Sequence, residues 1–384
     1  MDRHQGQTSM TFVARHYQTR LPVRVSVNSG LTESLDQVNL PQHEIEALPW
    51  IAPGLFDIQV NGANGIWFSD EQLTVDQVCD VLITFRAHGV ARLFPTLITN
   101  SVEALEHGFR ILRAAREQHA WVRRMIVGYH LEGPCISSED GPRGAHPLQH
   151  VRGCNWEEFT RLQAAAGNLI RLVTLAPEAD GAVDFIKRFT NAGGVIAIGH
   201  TAANSEQIQA AVEAGARLST HFGNGAHGML RRHPNYLWDQ LAEPRLIPSL
   251  ITDGHHIPAS VAKSVLLAKG LEHVIITCDS SGLAGCPPGE YAAAGGRCEV
   301  LEDGRIVVAG QRQFLAGSGA FTEECVAGMQ QMTGIDLPTA WNMAHGIPAQ
   351  LVGVDVPRLE LGTAAEFIVF HINNGRIVIE RPLP

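Results

Sequence analysis

Short apolar, strand-like runs that end on a polar, chemistry-bearing residue recur along this chain, and this pattern restricts its fold more than any other feature. Val127-Gly-Tyr-His130-Leu-Glu132-Gly-Pro134, Val195-Ile-Ala-Ile-Gly-His200, Leu218-Ser-Thr-His221 and Val274-Ile-Ile-Thr-Cys-Asp279 deliver a carboxylate, two imidazoles and a second carboxylate, in that order. Between such runs lie stretches with helical periodicity: Thr74 to His88, Glu103 to His119, Trp156 to Ala166, Gly181 to Asn191, Ser205 to Ala214 and Ala259 to Lys269. Strands are expected at Leu55–Val60, Ala91–Ile98, Met125–Tyr129, Ile170–Thr174 and Ile247–Thr252, and before His200, His221 and Asp279. That makes about eight β/α units, the number that closes a (β/α)8 TIM-type barrel, whose chemistry is built at the carboxyl ends of the strands.

The two ends of the chain read differently. Thr11 to Ala47 carries short β-branched segments such as Val23-Arg-Val-Ser-Val27, and Glu366–His371, Asn373-Asn-Gly375 and Arg376–Glu380 read as a β-hairpin. The expected organisation is a small β-sandwich domain from residues 1–50 plus 355–384, and a hydrolase barrel over residues 51–354. A Gly- and Ala-rich stretch from Gly282 to Gly310 reads as a β-type insertion near the barrel mouth.

A net charge of −10, with no basic block or aromatic-basic stripe, argues against nucleic acid or an anionic membrane as partner. No apolar run reaches the ~18 residues of a membrane span. Seven cysteines without a CxxC pair read as reduced thiols of a cytoplasmic protein. The first nine residues are polar, lack the apolar core of a signal peptide and read as an extension ahead of Met10.

Glu132, His200 and His221 offer one oxygen and two nitrogens, a donor set typical of catalytic zinc that leaves a position for water. Each histidine alone would more simply be a packed core residue; three donors at successive strand ends favour one divalent metal, most simply Zn2+. Asp279 is the candidate general base and acid, against the plainer role of capping the turn that follows it. Many barrel hydrolases carry His-x-His on the first strand and bind a second metal there. This chain has Gln59-Val-Asn61, whose amides are poor zinc ligands but can bond a bound water or the barrel rim. His146 could polarise a substrate carbonyl. Asn224, Gly225, Arg232 and the stretch Asp253-Gly-His255-His256 could hold a phosphate and sugar hydroxyls. Spacing does not choose between Arg231 and Arg232, and at least one of His227 and His233 is expected to be a bystander.

These residues together resemble the N-acetylglucosamine-6-phosphate deacetylase family of the amidohydrolase superfamily. The matching stretches are Pro53-Gly-Leu-Phe-Asp-Ile-Gln-Val-Asn-Gly62, His130-Leu-Glu-Gly-Pro134, Thr174-Leu-Ala-Pro-Glu178, Gly199-His-Thr201, Thr220-His221 with Asn224, Asp253-Gly254 with His256, and Leu315-Ala-Gly-Ser318. The resemblance runs from about Leu48 to the C-terminus. It implies Glu132, His200 and His221 as metal ligands, Asp279 as acid/base and His146 as the contact to the acetyl carbonyl. It also implies Ala145, Asn224, Gly225, Arg232, His256 and Leu315 around the sugar phosphate, Gln59 and Asn61 as in the single-metal branch, and a homodimer. Where the family reads Leu-Phe-Asn-Ala-Met, this chain reads Phe222-Gly-Asn-Gly-Ala226, and Ser280-Ser-Gly-Leu-Ala-Gly285 replaces an Ala-rich turn. Both departures touch the substrate side. The implied reaction is deacetylation of N-acetylglucosamine 6-phosphate, a small amino-sugar phosphate. The alternatives are another N-acetylhexosamine or N-acyl amine as substrate, or a catalytically silent sugar-phosphate-binding barrel.

Overall fold

The computed structural model describes residues 9–293 and 296–381, so the polar extension expected over residues 1–9 lies outside them, Ser9 apart. Eight parallel strands form the barrel: β1 (Leu55–Val60), β2 (Val90–Ile98), β3 (Tyr129–Glu132), β4 (Ile170–Leu175), β5 (Val195–Ile198), β6 (Leu218–Ser219), β7 (Ile247–Leu250) and β8 (Ile275–Ile276). Neighbours in the sheet are neighbours in the chain, and each hydrogen-bonded pair is parallel. Closure comes just past β8, where Val60 bridges Ser280 and the Asn61 N–H donates to the Ser280 carbonyl at 3.0 Å. Every residue of β1 is buried, as a parallel strand covered on both faces requires.

Capping sets where the covering helices begin. Thr74 and Gln77 form a capping box ahead of Val75–Ala87, and Asn204 with Gln207 repeats it ahead of Ser205–Ala214. Ser101 and Asn155 cap Val102–Gln118 and Trp156–Ala165. A cap of this kind contributes about 1 kcal/mol, and these helices fall within a residue of their expected bounds.

The third strand does not fall where it was expected. Ala120–Met125 is a short helix, and the strand is Tyr129–Glu132 in place of Met125–Tyr129. A Cβ at Gly128 would lie 2.6 Å from the Phe94 ring, so the chain crosses tightly over Phe94 before it straightens. His130 and Glu132, both buried, then stand inside the strand and interrupt the apolar run that would have marked it.

A buried carboxylate secures the closure. Asp57 on β1 accepts the Gln59 N–H at 3.0 Å, the Cys278 N–H at 2.9 Å and the Thr322 hydroxyl at 2.7 Å, together with the Thr277 hydroxyl. Four donors from three segments tie β1 to the end of β8 and to the head of helix Thr322–Thr333, satisfying a charge that would otherwise be costly to bury.

Both chain ends meet in one mixed sheet, in the order Arg376–Arg381, Phe367–Asn373, Trp50–Pro53, Met10–His16, Pro22–Asn28, Leu31–Gln37. The sandwich expected here is this single six-stranded sheet, because its second face is covered by the barrel and not by another sheet. Phe367 and Val369 pack in a small core with Val23, Val25 and Ile51, while the alternate Ile368 and Phe370 join the barrel core. Trp341 stacks on Phe370 at 5.1 Å and donates from Nε1 to the Pro53 carbonyl at 3.0 Å. After β8, four antiparallel strands (Gly289–Ala293, Gly296–Val300, Ile306–Val308, Gln311–Leu315) form the expected insertion around Leu283, Cys298, Val300 and Ile306. No helix among the described residues is long and apolar enough to cross a membrane.

Candidate active site

Glu132 is the last residue of β3, while His200, His221 and Asp279 lie two or three residues past β5, β6 and β8. These last three carry φ values of 51°, 29° and 46°, left-handed conformations that glycine adopts more readily. Each costs roughly 1–3 kcal/mol and persists only where the surroundings over-determine it. Leaving a strand through such a residue redirects its side chain over the barrel mouth.

There the side chains converge. Glu132 Oε1 lies 3.3 Å from His200 Nε2 and 3.0 Å from His221 Nε2, and the two Nε2 atoms are 3.1 Å apart. Among the described residues this is the one group of three or more such side chains disposed to hold a metal ion. His200 Nδ1 lies 2.8 Å from the Pro142 carbonyl, which can only accept, so Nδ1 carries the hydrogen and the Nε2 lone pair points into the cluster. Gln59 donates to Glu132 Oε1 at 2.9 Å, and Asn61 donates to Asp279 Oδ1 at 2.8 Å. The amides of Gln59 on β1 and of Asn61 just past it therefore touch the ligand set and the candidate acid/base directly.

Charge follows the packing. Burial pushes the Asp279 carboxyl up, the Glu132 charge adds to it, and the group stands at about 7. Burial pushes Glu132 the same way, but the close His200 and His221 rings outweigh it and hold Glu132 well below the usual range. Burial lowers His146 to about 3, with the neighbouring His200 adding to the effect, so its ring is neutral. One carboxylate and two imidazole lone pairs, buried and aimed at one another, make a donor set that fits a divalent cation.

His146 Nδ1 lies 2.8 Å from Thr99 Oγ1, and its ring meets the His200 ring edge-on at 4.3 Å. Asn224 donates to the His221 carbonyl from its backbone at 2.9 Å and from Nδ2 at 3.2 Å. Gly225 follows at φ 56°, and a Cβ there would lie 2.8 Å from His200 Nδ1. Glycine at this position thus lets the loop close on the ligand. His256 Nδ1 bonds Asp253 Oδ2 at 2.7 Å. Ala145 and Arg232 are exposed, and Arg232 makes no side-chain hydrogen bond among the described residues. Leu315 pairs with Val307 in the inserted sheet. His227 bonds Tyr236 and Glu139, tying the 137–146 loop to the 222–236 loop, which is a structural role.

The sequence assigned several contributors no role. Thr99 and Pro142 hold His146 and His200, and Ser318 reaches Asp253 from the returning end of the insertion. Beneath the site, His130 bonds Thr174 at 2.8 Å and Thr174 bonds Thr220 at 2.8 Å, a polar layer across the barrel.

No protein-family model matches the chain. It is 32% identical over 332 residues to the N-acetylglucosamine-6-phosphate deacetylase of Homo sapiens, covering 83% of this chain and 79% of that protein. It is 30% identical over 334 residues to the N-acetylgalactosamine-6-phosphate deacetylase of Escherichia coli O157:H7, covering 86% and 85%. The chain belongs to the N-acetylglucosamine-6-phosphate deacetylase family. An aspartate-to-alanine variant of the family's enzyme from Mycobacterium smegmatis, solved with N-acetyl-D-glucosamine-6-phosphate, superposes at a TM-score of 0.84 with 27% identity, over 97% of this chain and 98% of that one. A dihydroorotase at 15% identity and a TM-score of 0.54 shares the fold. Membership makes the chain a hydrolase of amide bonds in the amidohydrolase superfamily, and it implies a divalent metal at the cluster just described.

Proposed function

We propose that this chain is a zinc-dependent deacetylase that converts N-acetylglucosamine 6-phosphate to glucosamine 6-phosphate and acetate. The observation that carries this reading is the convergence of Glu132 Oε1, His200 Nε2 and His221 Nε2 at 3.0–3.3 Å beside a buried Asp279. When bound, a divalent cation there supplies Lewis acidity to the acyl oxygen and to water. Gln59 and the Pro142 carbonyl hold Glu132 and His200 in their binding orientations. Asp279 takes the proton of the attacking water and delivers it to the amine nitrogen as the C–N bond breaks. Asn61 occupies Oδ1, so Oδ2 carries that proton. In the tautomer that accepts from the Thr99 hydroxyl at Nδ1, the neutral His146 bears its hydrogen on Nε2 and donates it to the developing oxyanion. Asn224, the Gly225 backbone, Arg232 and His256 hold the sugar phosphate, with Ala145 and Leu315 at its edges.

Near-equal identity to deacetylases named for N-acetylglucosamine 6-phosphate and for N-acetylgalactosamine 6-phosphate supports a second reading in which the substrate is the 4-epimer. Acetate release from both N-acetylhexosamines, with and without 6-phosphate, after metal supplementation tests both readings. Turnover of the N-acetylglucosamine 6-phosphate is expected to dominate; preference for the 4-epimer would replace the first reading with the second, and no acetate from any sugar would overturn both. Elemental analysis should find one zinc per chain. We further read the enzyme as a cytoplasmic homodimer. Its seven cysteines are free, and Met229 and Trp238, on the segments flanking Arg232, are 93% and 57% exposed. A monomer by light scattering would overturn the dimer.

A further inference from the structure

Asp253 lies three residues beyond β7 and is almost wholly enclosed, its side chain 4% exposed and that of His256 6%. Its carboxylate accepts four hydrogen bonds. Oδ1 takes the N–H groups of His255 at 2.8 Å and His256 at 3.0 Å; Oδ2 takes His256 Nδ1 at 2.7 Å and the Ser318 hydroxyl at 3.1 Å. The two backbone bonds are those of an ordinary Asx turn. The ring and hydroxyl bonds go beyond it: they commit His256 Nδ1 to donating and leave Nε2 without a partner among the described residues.

The platform beneath is rigid. Thr252 donates its hydroxyl to the Cys325 carbonyl, and a Cβ at Gly328 would stand 1.8 Å from the Thr252 carbonyl oxygen, so helix Thr322–Thr333 packs its bare backbone against this turn. Ser318 joins two functions. Its hydroxyl orients Asp253, and its N–H donates to the Asp279 carbonyl at 3.0 Å.

We propose that Asp253 is a positioning residue of the phosphate subsite: acting through His256, it engages Nδ1 and fixes the ring so that Nε2 is left free to meet the substrate phosphate. Ser318, arriving from the inserted sheet, locks that carboxylate and links the phosphate end of the site to Asp279. The inference rests on the proposed function, in which His256 faces a 6-phosphate. A dianion entering a protein of net charge −10 needs concentrated local positive charge. The exposed Arg232 provides one such group.

The test is steady-state kinetics of the metal-loaded enzyme on N-acetylglucosamine 6-phosphate and on N-acetylglucosamine. The variants are Asp253→Asn, Ser318→Ala, His256→Asn and the double variant Asp253→Asn/His256→Asn, each checked for metal content and thermal midpoint. Asp253→Asn is expected to raise KM for the phosphorylated sugar about 10–100-fold, with a much smaller change in kcat, and to collapse the preference for phosphorylated over plain sugar. Ser318→Ala should move KM the same way by about 2–5-fold, as the loss of one of four bonds to the carboxylate. In the His256→Asn background, Asp253→Asn should add little, because a residue that acts through another is silent once that residue is gone. An intact phosphate preference in Asp253→Asn, or additive losses in the double variant, would overturn the inference alone. A wild-type enzyme that turned over both sugars equally would instead remove the phosphate reading, and this inference with it.

Discussion

Glu132, His200, His221 and Asp279 stand at barrel strand ends and are all buried, whereas Ala145 and Arg232 sit on loops open to solvent. The difference follows from what each half of the site must do. A ligand set and an acid/base need fixed, dry positions, and the barrel has the stability to hold three left-handed residues there. On the proposed reading the substrate side admits a charged sugar, and Ala145 and Arg232 lie on segments that do not build the core. The two halves meet where loops are pinned to the rim. Asn224 bonds the His221 carbonyl, Gly225 passes against His200, and the Pro142 carbonyl fixes that same ring.

The contrast breaks most directly at the rim. Asp279→Asn should cut kcat about 10²–10⁴-fold while leaving the metal content near one per chain by elemental analysis. Activity within tenfold of wild type would mean that the buried half does not carry the proton.

Acid separates the frame from the rim. His345, part-buried and bonded to the Pro357 carbonyl at 2.9 Å, is lowered by desolvation to about 4 in the folded protein. The unfolded chain titrates it near 6.5, so between those values the unfolded state binds more protons and stability falls as the pH falls. The contribution is whole above pH 6.5 and is lost progressively toward pH 4, on the order of 3 kcal/mol for one such group. Urea unfolding at pH 7 and pH 4.5 measures it, and His345→Asn should flatten the dependence. An unchanged slope would assign acid loss to groups of the site itself.

The frame can also be broken without touching any site residue. Gly328→Ala places a Cβ 1.8 Å from the Thr252 carbonyl and should lower stability by about 1–3 kcal/mol, seen as a lower thermal midpoint. The smallest structural effect is expected on the loop. Arg232→Ala should leave stability within about 0.5 kcal/mol yet raise KM for the phosphorylated sugar about tenfold. A fall in midpoint with unchanged KM would reverse the roles assigned to the two halves.

Much of this architecture can be read from local pattern. The apolar runs at Leu55–Val60 and Val195–Ile198 and the helix caps at Thr74 and Asn204 are short-range signals, and the structure places those elements accordingly. Glu132, His200, His221 and Asp279 stood out because polar residues directly after buried strands need a reason to be there. β3 was misplaced for the converse reason, since its own buried polar residues His130 and Glu132 break the apolar pattern. Composition and spacing determine which groups reach the barrel mouth, because strand alternation and turn chemistry act over a few residues. Tertiary structure alone decides what each group then does. The bonds from Pro142 to His200, Thr99 to His146, Asn61 to Asp279 and Ser318 to Asp253 join residues 47 to 218 positions apart. Their energy depends on ångström-scale placement by the closed barrel, a quantity that no local stretch of sequence encodes.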